Sequence, residues 1–99
     1  MPFKMTSVNI RFSDNQTGKG SNVNVNPQQG DQKLSSLLAN TDVGQAGYLT
    51  SIELRDNRQG ITVIVKHNGQ QIAKATENDN SKTFTRTPIN ELVVVVTRA

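Results

Sequence analysis

The segment that most constrains the fold is residues 92–96, a run of five apolar residues, four of which are valine. Because a β-strand sends alternate side chains to opposite faces, this run makes both faces of its strand apolar. Such a strand is typical of the centre of a sheet that is covered on both sides, whereas on an exposed edge it would favour aggregation. We therefore expect the sheet to be organised around residues 91–97, close to the end of the sequence.

Six further short strands are predicted by alternation of apolar and polar residues or by nearly continuous apolar runs. They span residues 6–13, 22–26, 48–56, 61–66, 71–76 and 83–87. The Asn68-Gly69 pair between two of them is a strong hairpin signal. The chain is therefore predicted to be a β-rich α+β protein with about seven short, mostly antiparallel strands.

One short helix is predicted between the second and third strands. Asp31 is a suitable N-cap, and Leu34, Leu37 and Leu38 follow at helical spacing on one face. The helix would continue to about Asn40. Its leucine face would have to pack on the sheet, since isolated helices of this length are marginal in water.

This order of two strands, a helix and further strands that end in an apolar one resembles the order in β-grasp proteins, which include ubiquitin-like and small sulfur-carrier proteins. The resemblance implies that the first and last strands lie side by side beneath the helix. Those carriers end in Gly-Gly, whereas this chain ends in Thr97, Arg98 and Ala99, so no carrier role is implied. The alternative is a small β-sandwich or barrel with one short helix.

The 99 residues predict a single domain, 1–99, in which residues 1–5 are expected to be flexible. The absence of cysteine excludes disulfides and thiolate metal sites. The first residues lack the apolar core of a signal peptide, and no apolar run approaches the roughly 20 residues of a membrane span. A soluble protein, cytoplasmic by default, is therefore expected.

No group of residues forms a recognisable catalytic or cofactor-binding motif. His67 is the single histidine and stands beside a turn without a readable partner. Residues 18–21 lack the upstream glycine and following helix of a phosphate-binding loop, and residues 77–81 lack the glycine and distal glutamate of a calcium loop. We therefore predict a protein that is not an enzyme, with no catalytic residue, cofactor or metal.

Two sets of residues are candidates for binding. The formal net charge is +3, and basic residues that would contact a nucleic acid or another anion are Arg55, Arg58, Lys66, His67, Lys74 and Arg86. Residues that would contact a protein partner, because they lie on apolar or uncharged strand faces, are Val93, Val95, Asn22, Asn24 and Asn26.

The leading hypothesis is a non-catalytic protein–protein interaction or assembly module that acts as a homo-oligomer or with a protein partner. Amide-rich, cysteine-free β domains of this size are associated with small structural or accessory proteins of phages and other mobile elements. The alternative is a protein that binds single-stranded nucleic acid through scattered Lys and Arg side chains on a β surface. No membrane partner is expected.

Overall fold

The structure, a computed structural model, describes residues 6–99, so the flexibility predicted for residues 1–5 concerns a segment outside the described range. Within that range the strands are β1 (Val8–Asp14), β2 (Lys19–Val25), β3 (Gln32–Lys33), β4 (Tyr48–Asp56), β5 (Ile61–His67), β6 (Gln70–Thr76), β7 (Ser81–Pro88) and β8 (Leu92–Arg98). The helices are α1 (Leu34–Leu37) and α2 (Asp42–Ala46), and a 3₁₀ turn covers Ile89–Glu91. None of the helices within residues 6–99 is long and apolar enough to cross a membrane.

The strands form two antiparallel sheets that share one core. Sheet A has the order β2-β1-β4-β7, and sheet B has the order β3-β8-β5-β6. Burial alternates along the strands, as in Val8, Ile10 and Phe12 of β1 and in Val63 and Val65 of β5. The buried side chains of both sheets belong to a single hydrophobic cluster. The predicted β-rich α+β class is confirmed, in the form of the predicted sandwich alternative.

The strand order expected from the β-grasp resemblance is wrong. β1 pairs with β2 and β4, whereas β8 pairs with β3 and β5, so the first and last strands lie in different sheets. The physical reason is that α1 has only four residues, a single turn, and cannot bury the apolar face of a sheet. A second sheet therefore covers the first. Eight strands are present in the described range rather than seven, since the two-residue strand β3 carries no readable pattern.

The predicted helix is shorter than expected and begins later. Gln32 and Lys33 pair with Val94 and Val93 as β3, so α1 begins at Leu34 rather than near Asp31. The backbone groups of these two residues thus pair with β8 instead of within a longer helix.

A second helix, α2, lies in residues 41–47, between the predicted helix and the predicted strand 48–56. Thr41 caps it, because its Oγ1 accepts a hydrogen bond from the backbone N–H of Gly44 at 3.0 Å. A β-carbon at Gly44 would lie only 1.8 Å from the carbonyl oxygen of Leu38, so the two helices can approach this closely only with glycine there. Leu34, Leu38 and Val43 are buried, and the helices close one side of the sandwich, with α1 against sheet B and α2 against sheet A.

β8 occupies an interior position in sheet B, as predicted, between β3 and β5. Beyond β3 its edge is partly closed by Gln28, whose N–H donates to the carbonyl of Val96 at 2.8 Å and whose side-chain Oε1 accepts from the N–H of Arg98 at 3.3 Å. Within residues 6–99, the inner face of β8 is fully covered and the outer face is not. Val93 and Val95, on the outer face, are half-buried.

Candidate functional site

Three β-branched side chains form an apolar stripe on the outer face of sheet B. The stripe consists of Ile64 on β5 and of Val93 and Val95 on β8, and each side chain is partly open to solvent. Ile64 is directly opposite Val95 in the antiparallel register, which places their side chains on the same face at adjacent positions. Val63, Val65 and Val94, which alternate with these three residues, are buried, so the stripe follows from the period of two.

Three lysines border the apolar stripe and form a lysine rim. Lys33 on β3 and Lys66 on β5 are both opposite Val93, one on each side of it. Lys74 on β6 is opposite Ile64. Within the described strands of sheet B, no acidic residue occupies an outer position. The nearest acidic partner is Asp31, whose Oδ1 lies 3.8 Å from the Nζ of Lys66 and which precedes β3.

Threonines complete this face beyond the stripe. Thr62 of β5 is opposite Thr76 of β6 on one side and Thr97 of β8 on the other. The outer face of sheet B therefore has a positively charged, apolar part and an uncharged polar part.

The structure thus brings together residues from both predicted binding sets. Val93 and Val95 were predicted as partner contacts and Lys66 and Lys74 as anion contacts, and all four lie on the outer face of sheet B. Lys33 and Ile64 belong to the same surface but were not predicted. Alternation along β5 could have predicted Ile64, because Ile64 and Lys66 are two residues apart and therefore lie on the same face. The position of Lys33 depends on the pairing of β3, which the sequence does not reveal.

The predicted asparagine row belongs to sheet A rather than to this surface. Asn24 Oδ1 accepts a hydrogen bond from Asn9 Nδ2 at 2.9 Å, and Asn22 Oδ1 accepts one from Arg11 Nη1 at 3.1 Å. Asn26 follows the end of β2 and is exposed. Two of the three amides are therefore bonded across the β1–β2 pair.

Arg55 and Arg58 lie at the end of β4 and in the turn that follows it. Arg55 Nη1 is 3.6 Å from Glu53 Oε1 in an exposed pair. Arg58 Nη1 donates to the carbonyl oxygens of Leu54 and Arg55 at 3.3 and 3.4 Å, so this side chain holds the turn. Neither residue is part of the lysine rim.

Arg86, the last predicted anion contact, forms an ion pair with a buried carboxylate. Asp14 at the end of β1 is inaccessible to solvent, and it accepts hydrogen bonds from Arg86 Nε at 3.0 Å and Arg86 Nη2 at 3.1 Å. Thr17 Oγ1 donates to the same carboxylate at 2.8 Å. The guanidinium lies over the ring of Tyr48, with 3.9 Å between its Cζ and the ring centroid. One face of the Tyr48 ring is therefore already occupied by Arg86.

An irregularity in the β4–β7 pairing accompanies this ion pair. Leu49 is opposite Thr87 and Ser51 is opposite Thr83, so three residues of β7 lie opposite the single residue Thr50. Arg86 is one of these three. At this irregularity the side chain of Arg86 reaches across β4 to Asp14 on β1, which lies on the far side of β4 in sheet A.

Arg86 also determines how Asp14 titrates. Its hydrogen bonds hold the pKa of the Asp14 carboxyl below the ordinary value of 3.8, although burial acts in the opposite direction. A carboxyl whose pKa is lower in the folded state stabilises the fold above its unfolded pKa, and this contribution is lost as the pH falls through the folded pKa. We expect the midpoint of thermal unfolding (Tm) to decrease from about pH 5 to about pH 3. In Asp14→Asn the decrease should be smaller, as scanning calorimetry of both proteins would show. An equal decrease in both proteins would contradict this assignment.

His67 and Arg86 line a groove of about 530 Å³ between β6 and β7, whose apolar lining includes Ile72, Phe84 and Pro88. His67 Nε2 lies 2.7 Å from Glu91 Oε1, within hydrogen-bond distance. The charge of Arg86 is balanced by Asp14. In the part of the chain that the structure describes, no group of three or more His, Cys, Asp or Glu side chains is placed to hold a metal ion.

Comparison with known proteins gives no further assignment. No protein-family model, no curated protein sequence and no solved structure matches the chain at a significant level. The candidate site is the outer face of sheet B, because this face combines the apolar stripe with the lysine rim.

Proposed function

We propose that the protein is a non-catalytic interaction module and that its binding surface is the outer face of sheet B. The observation that carries the proposal is the apolar stripe. Ile64, Val93 and Val95 are partly open to solvent at adjacent positions on one sheet face. Burial of apolar surface contributes roughly 25 cal/mol per Å², so a partner that covers the stripe gains free energy that isolated surface residues would not provide.

Protein is a better partner for this surface than single-stranded nucleic acid. Nucleic-acid surfaces combine positive charge with aromatic side chains on which bases stack. The outer positions of sheet B are β-branched, amide or lysine residues. Among the described residues, the large hydrophobic side chain that is exposed is Tyr48, and it belongs to sheet A. The structural or accessory role in a phage or mobile element that composition suggests remains a prediction.

The proposal is tested by photo-crosslinking in the cells that make the protein. A photoreactive amino acid replaces Val95 on the outer face of sheet B in one variant and Asn24 on sheet A in a matched control. We expect position 95 to give a discrete crosslinked protein, either a partner or a second copy, that also binds the purified chain. We expect position 24 to give no such product. Equal labelling from the two positions, or none from position 95, would contradict the proposal.

A further inference from the structure

We infer that the partner on the outer face of sheet B is an acidic protein segment whose carboxylates flank apolar side chains. This inference rests on the proposed function and specifies the chemistry of the partner. Such a segment would place its apolar side chains on Ile64, Val93 and Val95. Its carboxylates would meet the lysine rim.

The arrangement of charge on this face supports the choice. Lys33 and Lys66 lie on the two strands that flank β8, both at the level of Val93. Neighbouring strands are about 4.8 Å apart, so the backbones that carry the two lysines are separated by roughly 10 Å. Lys74 stands beside Ile64, one strand further along. Carboxylates on both sides of a short apolar sequence would match this pattern, and charge complementarity of this kind determines which partner binds.

The same charges disfavour two copies packed face to face through this surface. In that arrangement the lysine rims would approach each other around the two apolar stripes. Like charges at an interface are costly, and no carboxylate belongs to the strand positions of this face within the described residues. A partner of opposite charge has no such cost.

Asp31 already shows where a carboxylate fits. Its Oδ1 is 3.8 Å from Lys66 Nζ, and its side chain is 66% exposed. An exposed ion pair of this kind is weak, so the carboxylate of a partner can replace it. Asp31 would then act as an internal competitor, and its removal should strengthen binding.

The test measures fluorescence anisotropy of a labelled short peptide in which glutamates precede and follow a run of valines, titrated with the purified chain at low salt. Three further probes separate the contributions: a lysine–valine peptide, a glutamate–serine peptide and oligothymidine. We expect the glutamate–valine peptide to bind about 10-fold more tightly than either other peptide. It should also bind more tightly than the oligonucleotide.

Matched variants locate the site. We expect Val95→Thr and Lys74→Gln each to weaken binding about 5-fold, and Lys19→Gln on β2, with the same loss of charge, to leave it within about 1.5-fold. Asp31→Asn should strengthen binding about 2-fold, whereas Asp79→Asn should not, because Asp79 pairs with Lys82 away from this face.

Three outcomes would overturn the inference: no binding of the glutamate–valine peptide, equal binding of the lysine–valine peptide, or preferred binding of oligothymidine. If the crosslink at position 95 forms while the peptide does not bind, only the acidic partner is wrong. If both fail, the proposed function is wrong as well.

Discussion

Glutamate at position 94 is expected to prevent folding, whereas glutamate at position 95 is expected to leave the fold intact. Val94 is fully buried between the two sheets, and Val95 is its half-buried neighbour on the outer face. Burial of an unpaired carboxylate or its protonated form costs several kcal/mol, more than about 4 kcal/mol in a packed core. Val94→Glu should therefore show no cooperative thermal transition by circular dichroism.

Val95→Glu is the matched control, because it makes the same chemical change one residue further along the same strand. It removes a partly exposed apolar contact but leaves the carboxylate on the outer face in reach of water, so we expect a loss of about 1 kcal/mol and a Tm lower by about 4–8 °C. A cooperative transition in Val94→Glu, or unfolding of both variants, would contradict the assignment of inner and outer faces to β8.

Arg86→Met is expected to lower Tm by about 10 °C or more. The substitution keeps a long apolar stem but leaves the inaccessible carboxylate of Asp14 without its bidentate partner. The Arg86 side chain is partly exposed, but loss of the partner of an inaccessible carboxylate is still costly because that charge stays poorly solvated. The stacking of the guanidinium on Tyr48 is lost as well.

Two controls separate this effect from general loss of charge. Arg55→Met removes an exposed ion pair with Glu53 and should lower Tm by less than about 3 °C. The double variant Arg86→Met/Asp14→Asn removes both charges and should be more stable than Arg86→Met alone. If the two single changes were additive in scanning calorimetry, the ion pair would not be the origin of the effect.

The elements that the sequence predicts well are those with a strong local pattern. Strand 48–56 coincides with β4 (Tyr48–Asp56), and its residues alternate in burial over most of its length. The Asn68-Gly69 hairpin is confirmed: both residues have positive φ, 51° and 82°, as a two-residue turn of type I′ requires. In these cases the signal lies within a few neighbouring residues.

The features that were not predicted depend on distant contacts. β3 is a strand only because Gln32 and Lys33 meet β8, more than 50 positions later in the chain. The ion pair of Asp14 with Arg86 joins residues 72 positions apart, and neither has a local pattern that indicates the other. The β-grasp expectation was wrong for the same reason, since the strand order depends on how the apolar faces of the two sheets are buried against each other.

The proposed binding surface depends on both local and distant contacts. Alternation in β5 and β8 is sufficient to place Lys66 with Ile64, and Val93 with Val95, on shared faces of their strands. Their assembly into one surface requires the register that puts Ile64 opposite Val95. That register is set by the packing of the whole sandwich rather than by either strand alone.

The most direct test of the proposed binding surface is the photo-crosslinking comparison between positions 95 and 24, repeated with Ile64→Thr added to each variant. We predict a discrete product from position 95 that is strongly reduced by Ile64→Thr, because both side chains belong to the apolar stripe and would contact the same partner. We predict no discrete product from position 24 in either background. A product from position 24, or one from position 95 that is indifferent to Ile64→Thr, would contradict the account.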